Sequence, residues 1–414
     1  MSNHLLLLCP SLNANGTGED RSNYNWILEL SKRIRTRIFT SQTHGRSFGE
    51  LDSFTDISVL SPPSILEGSW VPILGRKIYQ SFKPYIYHFF WKARKMALQG
   101  NPLLLHHLGP LALRFPYITS SQAPWAGCII GPIGGSLHSP PAFRSRVSKE
   151  IFRNAFDLAC RNYLPGLRKS LEQADLVIGV APYIRGILSG IKLKDFQVMP
   201  EMGFSHPNIK LIKKPIFFNS ENPLKILFIG RMVPSKGLPE ALKSLSLCKE
   251  KKWTFTVIGE GRTLEENKKQ AKLLGISKKT QFLGWVKPKE IPSFFQTHDL
   301  FLFPSYREPS GNVVMEALSF GLPPIVADFG GPGYLVTKDC GWKIPVGSRD
   351  VFCASIAKIL DNVQKGKVDL NRMATHAITR AYLLGNWGKK VEWMLNQYDK
   401  VLNKKGIGIE KILR

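Results

Sequence analysis

Short apolar runs alternate with longer segments of helical periodicity along this chain, most regularly in its second half. After the polar, proline-bearing stretch Ser205–Pro223, the pattern predicts strand Lys225–Ile229, helix Leu238–Glu250, strand Trp253–Ile258, helix Leu264–Leu274 and strand Gln281–Leu283. Helix Lys289–Gln296, strand Leu300–Phe303, helix Gly311–Phe320 and strand Pro324–Ala327 follow. Alternation of this kind predicts a doubly wound parallel α/β sheet, which binds ligands at the carboxyl ends of its strands.

The first half opens in the same way. The apolar run Leu5–Cys9 leads into a loop with Gly16 and Gly18, then a predicted helix Asn23–Arg35 with Trp26, Ile27, Leu30 and Ile34 at helical spacing. Gly16 is a candidate for phosphate contact, although a lone G-x-G serves equally to turn the chain. Leu176-Val-Ile-Gly-Val180 reads as a buried strand and Phe196–Met199 as another. A length of 414 residues suits two domains. The expected division is 1–205, 206–382 and a final helical segment 383–414, with Trp387–Leu402 amphipathic.

Composition narrows the classes. The 43% apolar content supports real cores, and six cysteines without a C-x-x-C pair indicate neither a disulfide framework nor a zinc site. The Leu5–Cys9 run is too short for a signal segment and no stretch is long enough to span a bilayer, so a cytoplasmic location is expected. The net charge of +26 is spread over both halves, with 23 basic and 12 acidic residues through position 200. Such an excess attracts polyanions: nucleic acid, anionic lipid or phosphorylated small molecules.

Between Gly68 and Lys149 there is no acidic residue, while Arg76, Lys77, Lys83, Lys92, Arg94, Lys95, Arg114, Arg144 and Arg146 accumulate. Tyr79–Met96 mixes such cations with Tyr85, Tyr87, Phe89, Phe90 and Trp91. This suits an anionic membrane surface on the inner leaflet, or a helix with aromatics in the core and cations in water. Pro84 is expected to interrupt any single long helix here.

Candidate chemistry concentrates in Phe303-Pro-Ser-Tyr-Arg-Glu-Pro-Ser-Gly-Asn-Val-Val-Met-Glu316. Glu308 falls in the loop after a predicted strand and Glu316 on the following helix, so two carboxylates flank one helix N-terminus. The amides around Ser310, Gly311, Asn312 and Val313, with the positive end of the helix dipole, make a cradle for an anionic or hydroxyl-rich ligand. The carboxylates suit a diol. Acids near a helix start are favoured anyway, so these residues alone leave a surface role open. Phosphate needs cations, and Gly230-Arg-Met-Val-Pro-Ser-Lys-Gly237 places Arg231 and Lys236 directly after a buried strand. Arginine clamps phosphate bidentately and lysine acts as a point charge. No D-x-D pair occurs in this half, so a metal-free site is expected.

Taken in order, Phe228-Ile-Gly-Arg231 with Lys236-Gly237, Val257-Ile-Gly-Glu-Gly261, Phe282-Leu-Gly284, Phe303-Pro-Ser305, the pair Glu308 and Glu316, and Gly321-Leu-Pro323 resemble the retaining glycosyltransferases of family 4. The first half is similar to one branch of that family, through His106-His107, Arg114-Phe-Pro116 and Gly131-Pro-Ile-Gly-Gly135, with Ser136 where a third glycine is usual. Gly330-Gly-Pro-Gly333 fits the same branch.

The resemblance implies a GT-B fold, two Rossmann-like doubly wound domains facing a cleft, with the last helix crossing back to the first. It implies a nucleotide-diphosphate sugar donor, in UDP or GDP form. Arg231 and Lys236 would hold the diphosphate, Glu316 the ribose hydroxyls, Glu308 the transferred sugar and the amides of Ser310–Val313 the rest of the cradle. The base would sit near Gly230, Gly259, Arg262, Trp285 and Val286. His107 and His138 are candidates for positioning the acceptor, although each also fits a structural role. The expected acceptor is a saccharide or a lipid-linked sugar in surface polysaccharide or glycolipid synthesis. A soluble enzyme acting on a small acceptor is the alternative. Nucleic-acid binding is permitted by the charge, but no reader motif supports it.

Overall fold

The computed structural model describes residues 3–414 apart from 17, 42–46, 54, 61–83, 110–112, 116, 120–121, 147, 165, 205–217 and 220. Most of the stretch Ser205–Pro223, the cations Arg76, Lys77 and Lys83, Tyr79 and Pro116 therefore lie outside the described residues. The chain divides into two compact units. The first comprises Met1–Ser136, Arg153–Gly203 and Trp387–Arg414, and the second Leu137–Phe152 and Phe204–Asn386.

In the first unit, β1 (Leu5–Leu8), β2 (Thr36–Thr40), β3 (Asp56–Val59), β4 (Leu104–His107), β5 (Gly127–Ile133), β6 (Leu176–Gly179) and β7 (Phe196–Val198) form a parallel sheet in the order β3-β2-β1-β4-β5-β6-β7. The four leucines of β1 are at most 1% exposed, as a central parallel strand covered on both faces requires. The helix Trp387–Asn403 belongs to this unit. Trp387 meets Trp26 edge to face at 5.1 Å, and Tyr398 donates to His106 Nδ1 at 2.6 Å.

The second unit holds β8 (Leu224–Ile229), β9 (Trp253–Ile258), β10 (Thr280–Gly284), β11 (Leu300–Phe303), β12 (Pro324–Ala327) and β13 (Trp342–Ile344). These too are parallel, in the order β10-β9-β8-β11-β12-β13. Among the described residues no helix is long and apolar enough to cross a membrane, and all six cysteines are free and buried.

Element ends depart from the sequence pattern where distant residues intervene. The helix expected at Asn23–Arg35 runs over Glu19–Ser31. It starts early because Glu19 and Asp20 favour a first turn, and it stops early because Ile34 bridges Leu413 while Arg35 N donates to Ile412 O. The helix expected to reach Glu250 ends at Leu247, since the Lys249 and Glu250 amides bond the Asp361 carboxylate at 3.1 and 2.9 Å. Pro84 begins the helix Pro84–Gln99, where the first turn needs no proline N–H. On it Phe89 and Phe90 are core residues, and Trp91 stands 58% exposed.

The stretch 137–152, expected in the first domain, groups with the second unit. Phe143 is fully buried there, stacked on Tyr306 at 4.5 Å and edge-on to Phe352.

Candidate functional site

The strand order of the second unit reverses between β8 and β11. At such a switch point the two following loops diverge and leave a crevice at the carboxyl ends of the strands. The loop after β8 carries Arg231 and Lys236, and the loop after β11 carries Glu308. Ser305 Oγ donates to Ser235 O at 3.0 Å and ties the two loops together. Gly237 allows the close approach: its φ is +77°, and a Cβ there would stand 2.1 Å from Pro304 O.

Within this frame Lys236 pairs with Glu308, both side chains being largely buried. The other Glu308 oxygen accepts from Gly311 N at 3.3 Å. Glu308 therefore bridges the loop lysine and the N-cap of the helix Asn312–Ser319. Arg231 is exposed and has no ion-pair partner among the described residues. The Asn312 and Val313 amides, in the first helical turn, lack intrahelical acceptors as first-turn amides do. Ser310 is buried beside them.

Glu316 lies one turn further along the helix. Burial pushes its carboxyl up from 4.5 to about 7, and among the described residues its carboxylate has no hydrogen-bond or ion-pair partner. A carboxylate in that position gains free energy from any hydroxyl that donates to it.

The remaining wall comes from the loops after β9 and β10. Gly259, at φ +131°, packs so closely that a Cβ would stand 2.0 Å from Gly230 O. Gly259 N donates to Gly284 O at 2.7 Å, and Trp285 N donates to Glu260 Oε1 at 3.3 Å. Arg262 and Trp285 are exposed and Val286 half-buried along this edge. Among the described residues no cluster of three or more His, Cys, Asp or Glu side chains is arranged to hold a metal ion.

The structure thus brings Gly230, Arg231, Lys236, Gly259, Arg262, Trp285, Val286, Glu308, Ser310–Val313 and Glu316 to one edge of one sheet. Gly16 and His107 belong to the first unit. Gly16 precedes a helix whose first turn holds Glu19 and Asp20, and these acids disfavour phosphate at that N-terminus. His107 is fully buried, with its Nε2–H donating to Ile118 O at 2.7 Å and its ring packed against Phe90 and Tyr117. Burial lowers it to about 3, so it is neutral. His138 is exposed and groups with the second unit, beside Leu137, whose carbonyl accepts from Arg307 Nε at 2.9 Å.

Two supports of this region were not singled out in the sequence. Phe143 and Leu137 brace Tyr306 and Arg307, the residues just before Glu308. Their separation of more than 160 residues leaves no local signal. In the first unit, Asp157 gathers Arg114 at 3.0 Å and Ser136 Oγ at 2.9 Å, and Arg161 also reaches Ser136 Oγ at 3.1 Å. An aspartate amid the apolar positions of a helix was the signal available there.

The fold is that of the GT-B glycosyltransferases, two parallel-sheet α/β domains. The Anabaena protein Alr3699/HepE, solved in complex with UDP, superposes with a TM-score of 0.64 at 19% identity, covering 96% of this chain and 100% of that one. Residues 210–377 match the family described as glycosyl transferases group 1. The uncharacterized glycosyltransferase YqgM of Bacillus subtilis (strain 168) is 22% identical over 278 residues, 67% of this chain and 73% of its own length. The UDP-Gal:alpha-D-GlcNAc-diphosphoundecaprenol alpha-1,3-galactosyltransferase of Escherichia coli is 27% identical over 202 residues, 47% of this chain and 50% of its own.

Proposed function

We propose that this chain is a retaining, metal-independent glycosyltransferase. It moves a sugar from a nucleotide-diphosphate donor to a saccharide or lipid-linked acceptor in surface polysaccharide or glycolipid synthesis. The observation that carries this reading is the burial-perturbed carboxylate of Glu316, without a partner among the described residues, one helical turn from open amides and across a switch point from Arg231 and Lys236. Hydroxyls of a ribose satisfy the carboxylate, and the cations and amides suit a diphosphate. The UDP bound by HepE and the lipid-diphosphate acceptor named for the E. coli relative support the same substrate classes.

In this mechanism Arg231 and Lys236 stabilise charge on the departing diphosphate as the glycosidic bond breaks. Lys236 exchanges part of its pairing with Glu308 for the phosphate, and Glu308 turns to the transferred sugar. The leaving phosphate oxygen takes the acceptor hydroxyl's proton on the same face, so no separate base is required. UDP- and GDP-sugars titrated without metal into wild type and Glu316→Ala test the reading. Selective binding lost in the variant supports it, and no binding by any donor rejects it.

For the acceptor side we propose contact with an anionic inner-leaflet surface through the helix Pro84–Gln99. Trp91 is exposed on it, Arg94 and Lys95 are exposed beside Trp91, and the Lys95 ammonium lies 4.3 Å from the Trp91 ring centroid. Sedimentation with phosphatidylglycerol vesicles should be strong at low salt and lost at high salt or on neutralising Lys92, Arg94 and Lys95. No association at low salt would exclude this surface.

A further inference from the structure

The amino ends of the first unit's strands carry a groove of ≈ 400 Å³, on the sheet edge opposite the one that His107 closes. Leu176 opens β6, Asp195 immediately precedes β7, and the facing wall is the last part of the helix Trp387–Asn403 with its exit. Gln397, Lys400, Val401 and Lys404 follow one another at helical spacing along that wall.

The two lysines enter no ion pair among the described residues. Cations near a helix C-terminus are favoured by the dipole, so their presence alone says little. Gln397 is different. It is only 6% exposed, yet its side-chain amide bonds to no described residue, while it lines the groove. Its amide atoms keep contact with solvent in the groove, so a ligand's polar group would take the place of water on them. Across the groove Asp195 receives Gln197 Nε2 at 3.2 Å on one oxygen, leaving acceptor capacity on its carboxylate.

We propose that this groove is a second ligand site, for the phosphate ester of a sugar or polyol. Lys400 and Lys404 bracket the phosphate, Gln397 and Asp195 bond the hydroxyls, and Leu176 with Val401 supports the apolar C–H face of the ring. No residue of the second unit takes part, so the site stands whether or not the donor reading does.

The test titrates the full chain with glucose 6-phosphate, inorganic phosphate and glucose, by calorimetry and by the Gln397 side-chain amide resonance, identified through its loss in Gln397→Leu. Glucose 6-phosphate is expected to bind and to move that resonance. Its affinity should fall about tenfold in Lys400→Ala and again in Lys404→Ala, the size of one charge-assisted contact each. Inorganic phosphate should bind more weakly and glucose not measurably. Undiminished binding in the double lysine variant, whose exposed positions leave folding intact, or an unmoved Gln397 resonance overturns the site. Equal affinity for inorganic phosphate overturns the sugar part of the assignment.

Discussion

The two sheets reverse strand order at equivalent places, between β1 and β4 in the first unit and between β8 and β11 in the second, yet the residues at the two switch points behave differently. In the second unit the charges remain available: among the described residues Arg231 is exposed without an ion pair, Glu316 has no partner, and Lys236 and Glu308 pair with each other, the lysine also lying 5.7 Å from the Phe303 ring centroid and the glutamate accepting from one amide. In the first unit the switch-point histidines are turned into the core, and among the described residues His107 Nδ1 is buried without a partner. His106 bonds Tyr398 and Gly131 O, His107 bonds Ile118 O, and acids occupy the first turn of the helix after β1. One topology thus carries exposed and loosely paired charges in one unit and a buried polar framework in the other. Position at a switch point offers a site, and the hydrogen-bond ledger around it shows whether the offer is taken up.

The largest expected effect lies in the framework. Asp157→Ala leaves the buried Arg114 and Arg161 without their acid, so stability should fall by about 3–5 kcal/mol in urea denaturation. A loss under about 1 kcal/mol would mean that the first unit's charges are as dispensable as surface ones. Next, Gly237→Ala forces a Cβ against Pro304 O at positive φ and should cost about 2 kcal/mol or more, with donor affinity falling alongside. A stable variant with normal donor binding would show that the two loops need not touch.

A smaller effect comes from pH. The Glu316 carboxyl must be charged to accept ribose hydroxyls, so donor affinity should rise up to about tenfold per unit as pH climbs toward about 7 and level off above it. The folded state keeps this proton longer than the unfolded chain does. Stability should therefore decline between the ordinary 4.5 and about 7, and Glu316→Gln should flatten both profiles. The smallest change in stability is expected for exposed Arg231→Ala, within about 0.5 kcal/mol by thermal melting. Donor affinity should nonetheless fall about tenfold, as one charged phosphate contact is lost. Equal donor affinity in that variant would remove Arg231 from the cradle.

What the sequence determined by itself was the alternation of elements, the parallel α/β architecture and the cluster of charged residues in the second unit. Every part of that cluster lies in a loop that follows a strand or in the first turns of the helix after it, so local periodicity and loop composition suffice to place it. The tertiary structure alone decided where the helices at Ser31 and Leu247 stop, because Leu413 and Asp361 arrive from far along the chain. It also assigned 137–152 to the second unit through Phe143, and made His107 a neutral core residue by burying it between Phe90 and Tyr117. Local patterns record backbone preference and sheet-edge position. Burial and partner choice depend on residues in other elements, from ten to several hundred positions away, whose contact energies exist only once the chain has folded.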